Sequence, residues 1–264
     1  MALDGKVAVV TGAGQGIGRA IAVQMARDGA AAVSVVDHRR QTLTETADLI
    51  TAEGVQAAAI VCDLRDGDQI AAMIDETAAR FGGLDVLVNN AGLIETSLSE
   101  DTGIDELPEE VWDAVYEVNL KAVWLATKLA APHLRRSTRG PSIVNAASVS
   151  GLVGFARAAA YCATKAGVVQ LTRVTAIDLG PHVRCNCFCP GVIETPMARA
   201  FIDGAEDPAQ REREMVATQL LPRLGRPEEV ARLACFLASD DAAFITGAAV
   251  NVDGGALAWH GVRR

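Results

Sequence analysis

The run Thr11-Gly12-Ala13-Gly14-Gln15-Gly16-Ile17-Gly18 follows a β-branched stretch directly and opens a helical pattern. Glycines at 12, 16 and 18 permit a tight turn and close backbone approach, so a pyrophosphate can lie against the first amides and the dipole of that helix. The loop alone would read equally as a strand-to-helix turn with no ligand. Asp37, nineteen positions after Gly18 at the end of the second strand pattern, adds a carboxylate suited to gripping adenosine ribose hydroxyls. Loop and acid together point to a dinucleotide. Arg19 and Ala20 follow Gly18 where a phosphate-transfer loop needs Lys and then Ser or Thr, which disfavours nucleoside triphosphate hydrolysis.

Tyr161 and Lys165 are four apart in a helical pattern, so their side chains share a face and can meet. Ser148 lies thirteen residues upstream, where a serine also reads as a turn residue at a strand end. Asn119, in Glu117-Val118-Asn119-Leu120, gains nothing from helix propensity, and a buried amide bonded to backbone is one account of it. Cys185, Cys187 and Cys189 alternate along a strand pattern, which puts three thiols on one face, whereas zinc sites bring pairs together from separate loops. Apolar packing is the better reading, and no metal site is expected. The absence of a G-x-S-x-G elbow and of metal spacing among the four histidines argues against a hydrolase.

These residues must be positioned by an alternation of short and long elements. Strand patterns, nearly continuous in apolar character, fall at 7–10, 32–36, 57–61, 84–88, 142–145, 183–188 and 249–252. Helical spacing falls at 17–27, 40–52, 66–81, 108–134, 158–179 and 227–238, with Pro108 and Pro227 at starts and Gly29 and Gly54 after ends. The order implies one α/β domain over 1–264, a Rossmann-type, doubly wound parallel sheet of about seven strands with right-handed crossovers. The segment 96–106 is acidic and patternless and reads as a surface loop. Residues 192–215, with Gly204 and the charge run Arg211-Glu212-Arg213-Glu214, read as a mobile lid.

A formal net charge of −9 and 4% aromatic residues offer neither a basic face nor stacking platforms for nucleic acid. No apolar run approaches the ~20 residues that span a bilayer. The opening MALDGKVAVV enters a strand pattern without a charged leader region, so a cytoplasmic location with reduced thiols is expected.

With these motifs in place, the chain resembles the short-chain dehydrogenase/reductase family nearly end to end. The resemblance rests on T-G-x-x-x-G-x-G at 11–18, Asn89-Asn90-Ala91-Gly92 after the fourth strand, Ser148 after the fifth, and Tyr161-x-x-x-Lys165 in the next helix. Pro190-Gly191 with Thr195, and Asp253-Gly254-Gly255, complete it. The resemblance implies a hydride transfer between NAD and a CH–OH carbon. Tyr161 would be the acid/base, Ser148 would orient the substrate oxygen, and Asn119 would hold a water linking Lys165 to solvent. Bringing a phenol from ~10 to near 7 takes roughly 4 kcal/mol, which Lys165 and an oxidised nicotinamide could supply. It further implies cofactor contacts at Gly12, Gln15, Gly16, Ile17, Gly18 and Asp37, at Asp63 and Leu64 near the adenine, at Asn90, Ala91 and Gly92 along the ribose, and at Tyr161, Lys165, Ile193 and Thr195. Asp63 reads equally as a cap for the helix starting near Asp66.

Asp37 would repel a 2′-phosphate, and Gln15 stands where NADP-preferring relatives often carry a basic residue. NAD is therefore expected in preference to NADP, although His38, Arg39 and Arg40 would tolerate the extra phosphate. Leu93, Ile94, Leu152, Val153, Phe155, Met197 and Phe201 suggest a small, uncharged, hydrophobic or cyclic alcohol or ketone, against which Arg157 and Arg199 stand. Surplus apolar positions on 108–134 and 158–179, together with the resemblance, imply a homotetramer. The tail 256–264 either reaches a neighbouring subunit or frays. An NAD-sensing protein without catalysis and an NAD-retaining epimerase on the same fold are the rival readings.

Overall fold

The computed structural model describes residues 2–259. Seven strands, β1 (Val7–Thr11), β2 (Ala32–Asp37), β3 (Gln56–Val61), β4 (Val86–Asn89), β5 (Ser142–Ala146), β6 (Arg184–Pro190) and β7 (Ala249–Val252), form one sheet in the order β3-β2-β1-β4-β5-β6-β7. Every pairing is parallel. Around it lie α1 (Gly16–Arg27), α2 (Arg40–Ala52), α3 (Gly67–Phe81), α4 (Glu109–Tyr116), α5 (Ala122–Leu134), α6 (Ala159–Leu179), α7 (Pro196–Asp203), α8 (Pro208–Val216) and α9 (Pro227–Ala238).

The strands sort their side chains with period two. Ala8, Val10, Val86, Val88, Val144 and Phe188 pack with Ile21 and Met25 of α1, Leu43 and Ile50 of α2, and Val230 and Leu237 of α9. Val9, Leu87, Ile143 and Cys185, from the alternate positions, pack with Ile70, Met73 and Ile74 of α3, Ala126, Ala130 and Leu134 of α5, and Leu179 of α6. Both faces of the central strands are therefore covered, as their continuous apolar character requires. The two edges differ from that expectation: Gln56, Ala59 and Val61 of β3 face solvent and β7 is half-buried, because an edge strand has a neighbour on one side only.

The chain winds outward from β1 through β2 to β3, then returns to β1's other side with β4. The reversal opens a crevice at the carboxyl ends of β1 and β4. Three segments depart from the sequence reading. The pattern 108–134 is not one α-helix, because a π-helical turn at Glu117–Lys121 joins α4 to α5 and carries Asn119. The span 192–215, outside the helical patterns and read as a mobile lid, contains α7 and all but the last residue of α8; Thr195 and Asp207 cap them, each followed by proline at the first helical position. The acidic segment 96–106 begins inside a short 3₁₀ turn, Glu95–Ser97, and buries Thr102, so it is not simply surface. Of the tail, residues 260–264 lie outside the described part, and Trp259 donates from Nε1 to the Thr218 carbonyl of the same chain at 3.3 Å. No helix among the described residues is long and apolar enough to cross a membrane.

Candidate active site

The carboxyl ends of the strands bring the predicted residues to one rim. At the end of β1, Gly12 adopts φ +64° and faces the backbone of Ala91, where a Cβ would stand 2.8 Å from the Ala91 Cα. A Cβ on Gly18 would collide with the Gly12 carbonyl, so the helix start can sit this close to the end of β1 only with glycine at 18, as the end of β1 can approach Ala91 only with glycine at 12. Gln15 precedes α1 without a side-chain cap, and no acidic residue occupies the helix's first turn. The first amides of α1, Gly16 and Ile17 among them, thus point into the crevice with their dipole uncompensated, an arrangement that fits a pyrophosphate. Asn90 closes the other side, its backbone and side-chain amides donating to Thr11 at 3.0 Å each.

Asp37, at the end of β2, is buried and accepts from the Gly14 amide at 3.1 Å through Oδ2. Its other oxygen faces the His38 imidazole, Nδ1 at 3.1 Å, and the Arg39 guanidinium, Nε at 3.8 Å. The acid is therefore where a ribose-binding carboxylate is needed, with part of its charge already answered. Asp63, after β3, grips Arg65, whose guanidinium donates to it at 2.7 Å and holds its carboxyl down at about 2. It does not cap α3; Asp66 does, accepting from the Asp68 and Gln69 amides. Leu64 packs at the margin of the core. Ile193 is buried and bridges Gly225, and the Thr195 methyl lies against Gly16, so the segment before α7 meets the glycine loop.

Ser148, Tyr161 and Lys165 converge from β5 and α6. Gly151 lets the turn after Ser148 press on the α6 backbone at Lys165, where a Cβ would stand 2.6 Å from the carbonyl oxygen. Ser148 beside the Tyr161 phenol favours the phenolate, while burial pushes the phenol up more strongly. The Lys165 ammonium donates to the Ala146 carbonyl at 2.7 Å and lies 5.6 Å from the centre of the Tyr161 ring. Burial brings it down to about 8. Both groups are thus moved toward neutrality by the same loss of water.

Asn119 is fully buried in the π-helical turn; its Oδ1 accepts from the Leu93 amide at 2.7 Å and its Nδ2 donates to the Leu93 carbonyl at 2.8 Å and to Thr164 at 3.3 Å. Backbone bonding therefore holds its amide. A Cβ on Gly92 would meet both Lys165 Nζ and Asn119 Oδ1, so the three stand together.

The two arginines that opposed an apolar substrate are engaged elsewhere. Arg157 donates to Glu100 and Thr102, and Arg199 is paired with Glu194 and Glu212. Leu152, Val153, Phe155, Met197 and Phe201 meanwhile expose 41–50% of their surface on the segments flanking the site.

Sequence reasoning missed Glu95, which is buried at the start of the 3₁₀ turn and accepts from the first turn of α6. It has no spacing signal; only a lone acid after Leu93-Ile94 marked it. Gln219 was missed too, and its buried amide oxygen accepts from Val192 at the root of the predicted lid. Among the described residues, no cluster of His, Cys, Asp or Glu could hold a metal ion, and all six cysteines are free thiols.

Residues 12–256 match the family profile described as enoyl-(acyl carrier protein) reductase. The chain is 40% identical over 262 residues to meso-2,3-butanediol dehydrogenase of Serratia marcescens, covering 99% of this chain and 98% of that one. It is 38% identical over 258 residues to a 3-oxoacyl-[acyl-carrier-protein] reductase of Thermotoga maritima, covering 97% and 99%. The crystal structure of levodione reductase superposes with a TM-score of 0.91 at 33% identity, covering 97% of this chain and all of that one. A glycine cradle, a serine–tyrosine–lysine cluster and full-length similarity agree: the chain belongs to the short-chain dehydrogenase/reductase family of nicotinamide-dependent oxidoreductases acting on CH–OH groups.

Proposed function

We propose that this protein transfers a hydride between NAD and a small, uncharged, hydrophobic or cyclic secondary alcohol or ketone, with Asn119, Ser148, Tyr161 and Lys165 as its catalytic residues. The observation that carries this is the convergence of Ser148 on the Tyr161 phenol with the Lys165 ammonium over the same ring. NAD fits the uncapped α1 amides with Gly12, Gln15, Gly16, Ile17 and Gly18, and Asp37 would take the ribose hydroxyls. Asp63 and Leu64 would border the adenine, Asn90, Ala91 and Gly92 the ribose, and Ile193 and Thr195 the nicotinamide, beside Tyr161 and Lys165. Bound there, the oxidised cofactor supplies a hydride acceptor and a positive charge.

Tyr161 accepts the substrate hydroxyl proton on oxidation and returns it on reduction. Ser148 donates to the substrate oxygen and fixes its direction. Lys165 favours the phenolate through its charge, and Asn119 holds the loop at Leu93 against α6. The exposed apolar side chains around the mouth and the engagement of Arg157 and Arg199 support an uncharged substrate. Similarity to a butanediol dehydrogenase agrees with this reading, while similarity to an acyl-carrier-protein reductase leaves thioesters to be tested.

The test is the initial rate of NAD and NADP reduction over a panel of secondary alcohols and cyclic diols, with 3-oxoacyl thioesters in the reverse direction. NAD-linked oxidation of a diol or cyclic alcohol is expected. Turnover confined to NADPH and thioesters would overturn the substrate and cofactor together, and turnover without net NADH would favour the epimerase.

Residues 192–215 act in this reading as the lid. Exposed Trp124, Val174 and Ile177 on α5 and α6, and Phe236 and Phe244 near α9, suit the faces of a homotetramer; an exclusively monomeric sedimentation profile would refute that. Six free thiols suit the reducing cytoplasm.

A further inference from the structure

Glu95 has no solvent exposure, and its two oxygens are unequal. Oε1 accepts from the Ala160 amide at 2.9 Å and the Tyr161 amide at 3.3 Å, in the first turn of α6. Ala158, which precedes that helix, provides no side-chain cap, so a residue 65 positions upstream does the capping. Oε2 is buried with no hydrogen-bond partner. Leu93 is fastened by Asn119, and Glu100 and Thr102 by Arg157, which itself takes φ +59°. The segment 93–102 is thus tied to the catalytic cluster at three points, of which Glu95 alone brings a full negative charge.

Resting on the assignment of Tyr161 as acid/base, we propose that Glu95 is a positioning residue: it caps the helix that carries Tyr161 and keeps a half-partnered carboxylate beside the phenol, so setting the pH at which the phenol gives up its proton. The physical case is that the N-terminus of a long helix favours anions near its first turn, the phenolate included. A buried carboxylate on the same amides answers that dipole and repels a second anion. Cys162 of α6 and Ser148 after β5 are the other titratable or hydrogen-bonding groups acting on the phenol; Lys165 of α6 lies 5.6 Å from the centre of its ring and is itself faced by Cys187 and Cys189 of β6. Glu95 is the carboxylate among them.

Only Tyr116 and Tyr161 are tyrosines, so Tyr116→Phe, an exposed position outside the site, leaves Tyr161 as the sole phenol. Its tyrosinate absorbance can then be titrated with neither substrate nor cofactor, and this readout survives if no alcohol proves to be a substrate. Glu95→Gln keeps an acceptor for the two amides and removes the charge. The expected result is a titration moved down by about one pH unit, with the rising limb of the kcat/KM profile for oxidation moved the same way. Glu95→Ala should lower kcat with KM for NAD unchanged, and Glu95→Gln should restore most of it. Superposed titrations for wild type and Glu95→Gln would overturn the electrostatic part, and an unchanged kcat in Glu95→Ala the positioning part. Should Glu95→Gln fail to fold, Glu95→Asp keeps the charge and shortens the reach. A fall in kcat with an unmoved titration supports the proposal, and wild-type kcat refutes it.

Discussion

Asp85 and Glu95 flank β4, one before its amino end and one beyond its carboxyl end, and neither touches solvent. Asp85 is satisfied at both oxygens: Oδ2 accepts from the Val7 amide at 2.8 Å and Arg139 Nε at 2.9 Å, and Oδ1 from the Ser137 hydroxyl. Its neighbours behave alike. Lys6 donates to the Gly140 and Ala238 carbonyls and to Asp240, and Arg184 to the Leu237 and Ser239 carbonyls. At the other end, Glu95 keeps an unpartnered oxygen, the Tyr161 phenol is pushed up and Lys165 is brought down to about 8. One end of the sheet has closed its polar accounts; the other carries charges that burial disfavours. Satisfied networks rigidify a fold, while perturbed groups mark where a reaction is held ready.

The sharpest way to break the contrast is to remove one group from each end. Tyr161→Phe should lower kcat by about 10²–10⁴, the typical contribution of a positioned acid/base, and leave the unfolding midpoint nearly unchanged. Asp85→Ala should do the opposite. It deprives Arg139 and the Val7 amide of their partner, so urea unfolding should show a loss of about 3 kcal/mol, while the folded fraction keeps its kcat. If Asp85→Ala lowered kcat as Tyr161→Phe does, the division of labour would fail.

Lys165→Met sharpens the comparison through pH. The folded protein holds the Lys165 proton less tightly than the unfolded chain, about 8 against 10.5. Below pH 8 both states carry the proton, and the penalty of burying the charge is fully present. Between 8 and 10.5 the unfolded state binds more protons, so the penalty is relieved as pH rises. Wild type should therefore gain stability relative to Lys165→Met across that window, as measured by Tm at a series of pH values; a constant difference would contradict it. The smallest effect is expected at 192–215, where cleavage by trypsin should slow when NAD is added. Identical digestion patterns would count against a lid.

Helix and strand patterns, including the bounds of α2 and α9, were readable because period and punctuation are local properties. The glycine loop and Tyr161 with Lys165 were readable because their geometry follows from spacing within one turn or one helix. The caps Thr195 and Asp207 were equally local, and their Thr-Pro and Asp-Pro signals were outweighed by the dense charge that follows. By itself the sequence determined the seven-stranded parallel architecture and the residues at the strand ends, since each depends on neighbours within about ten positions. Only tertiary structure decided that Arg157 is engaged by Glu100 and Thr102 and Arg199 by Glu194 and Glu212, that Asn119 sits in a π-helical turn bonded to Leu93, and that Glu95 crosses 65 residues to cap the helix of Tyr161. For Asn119 and Glu95, both buried, neighbours compete for one donor or acceptor, and burial selects the partner once the chain has packed.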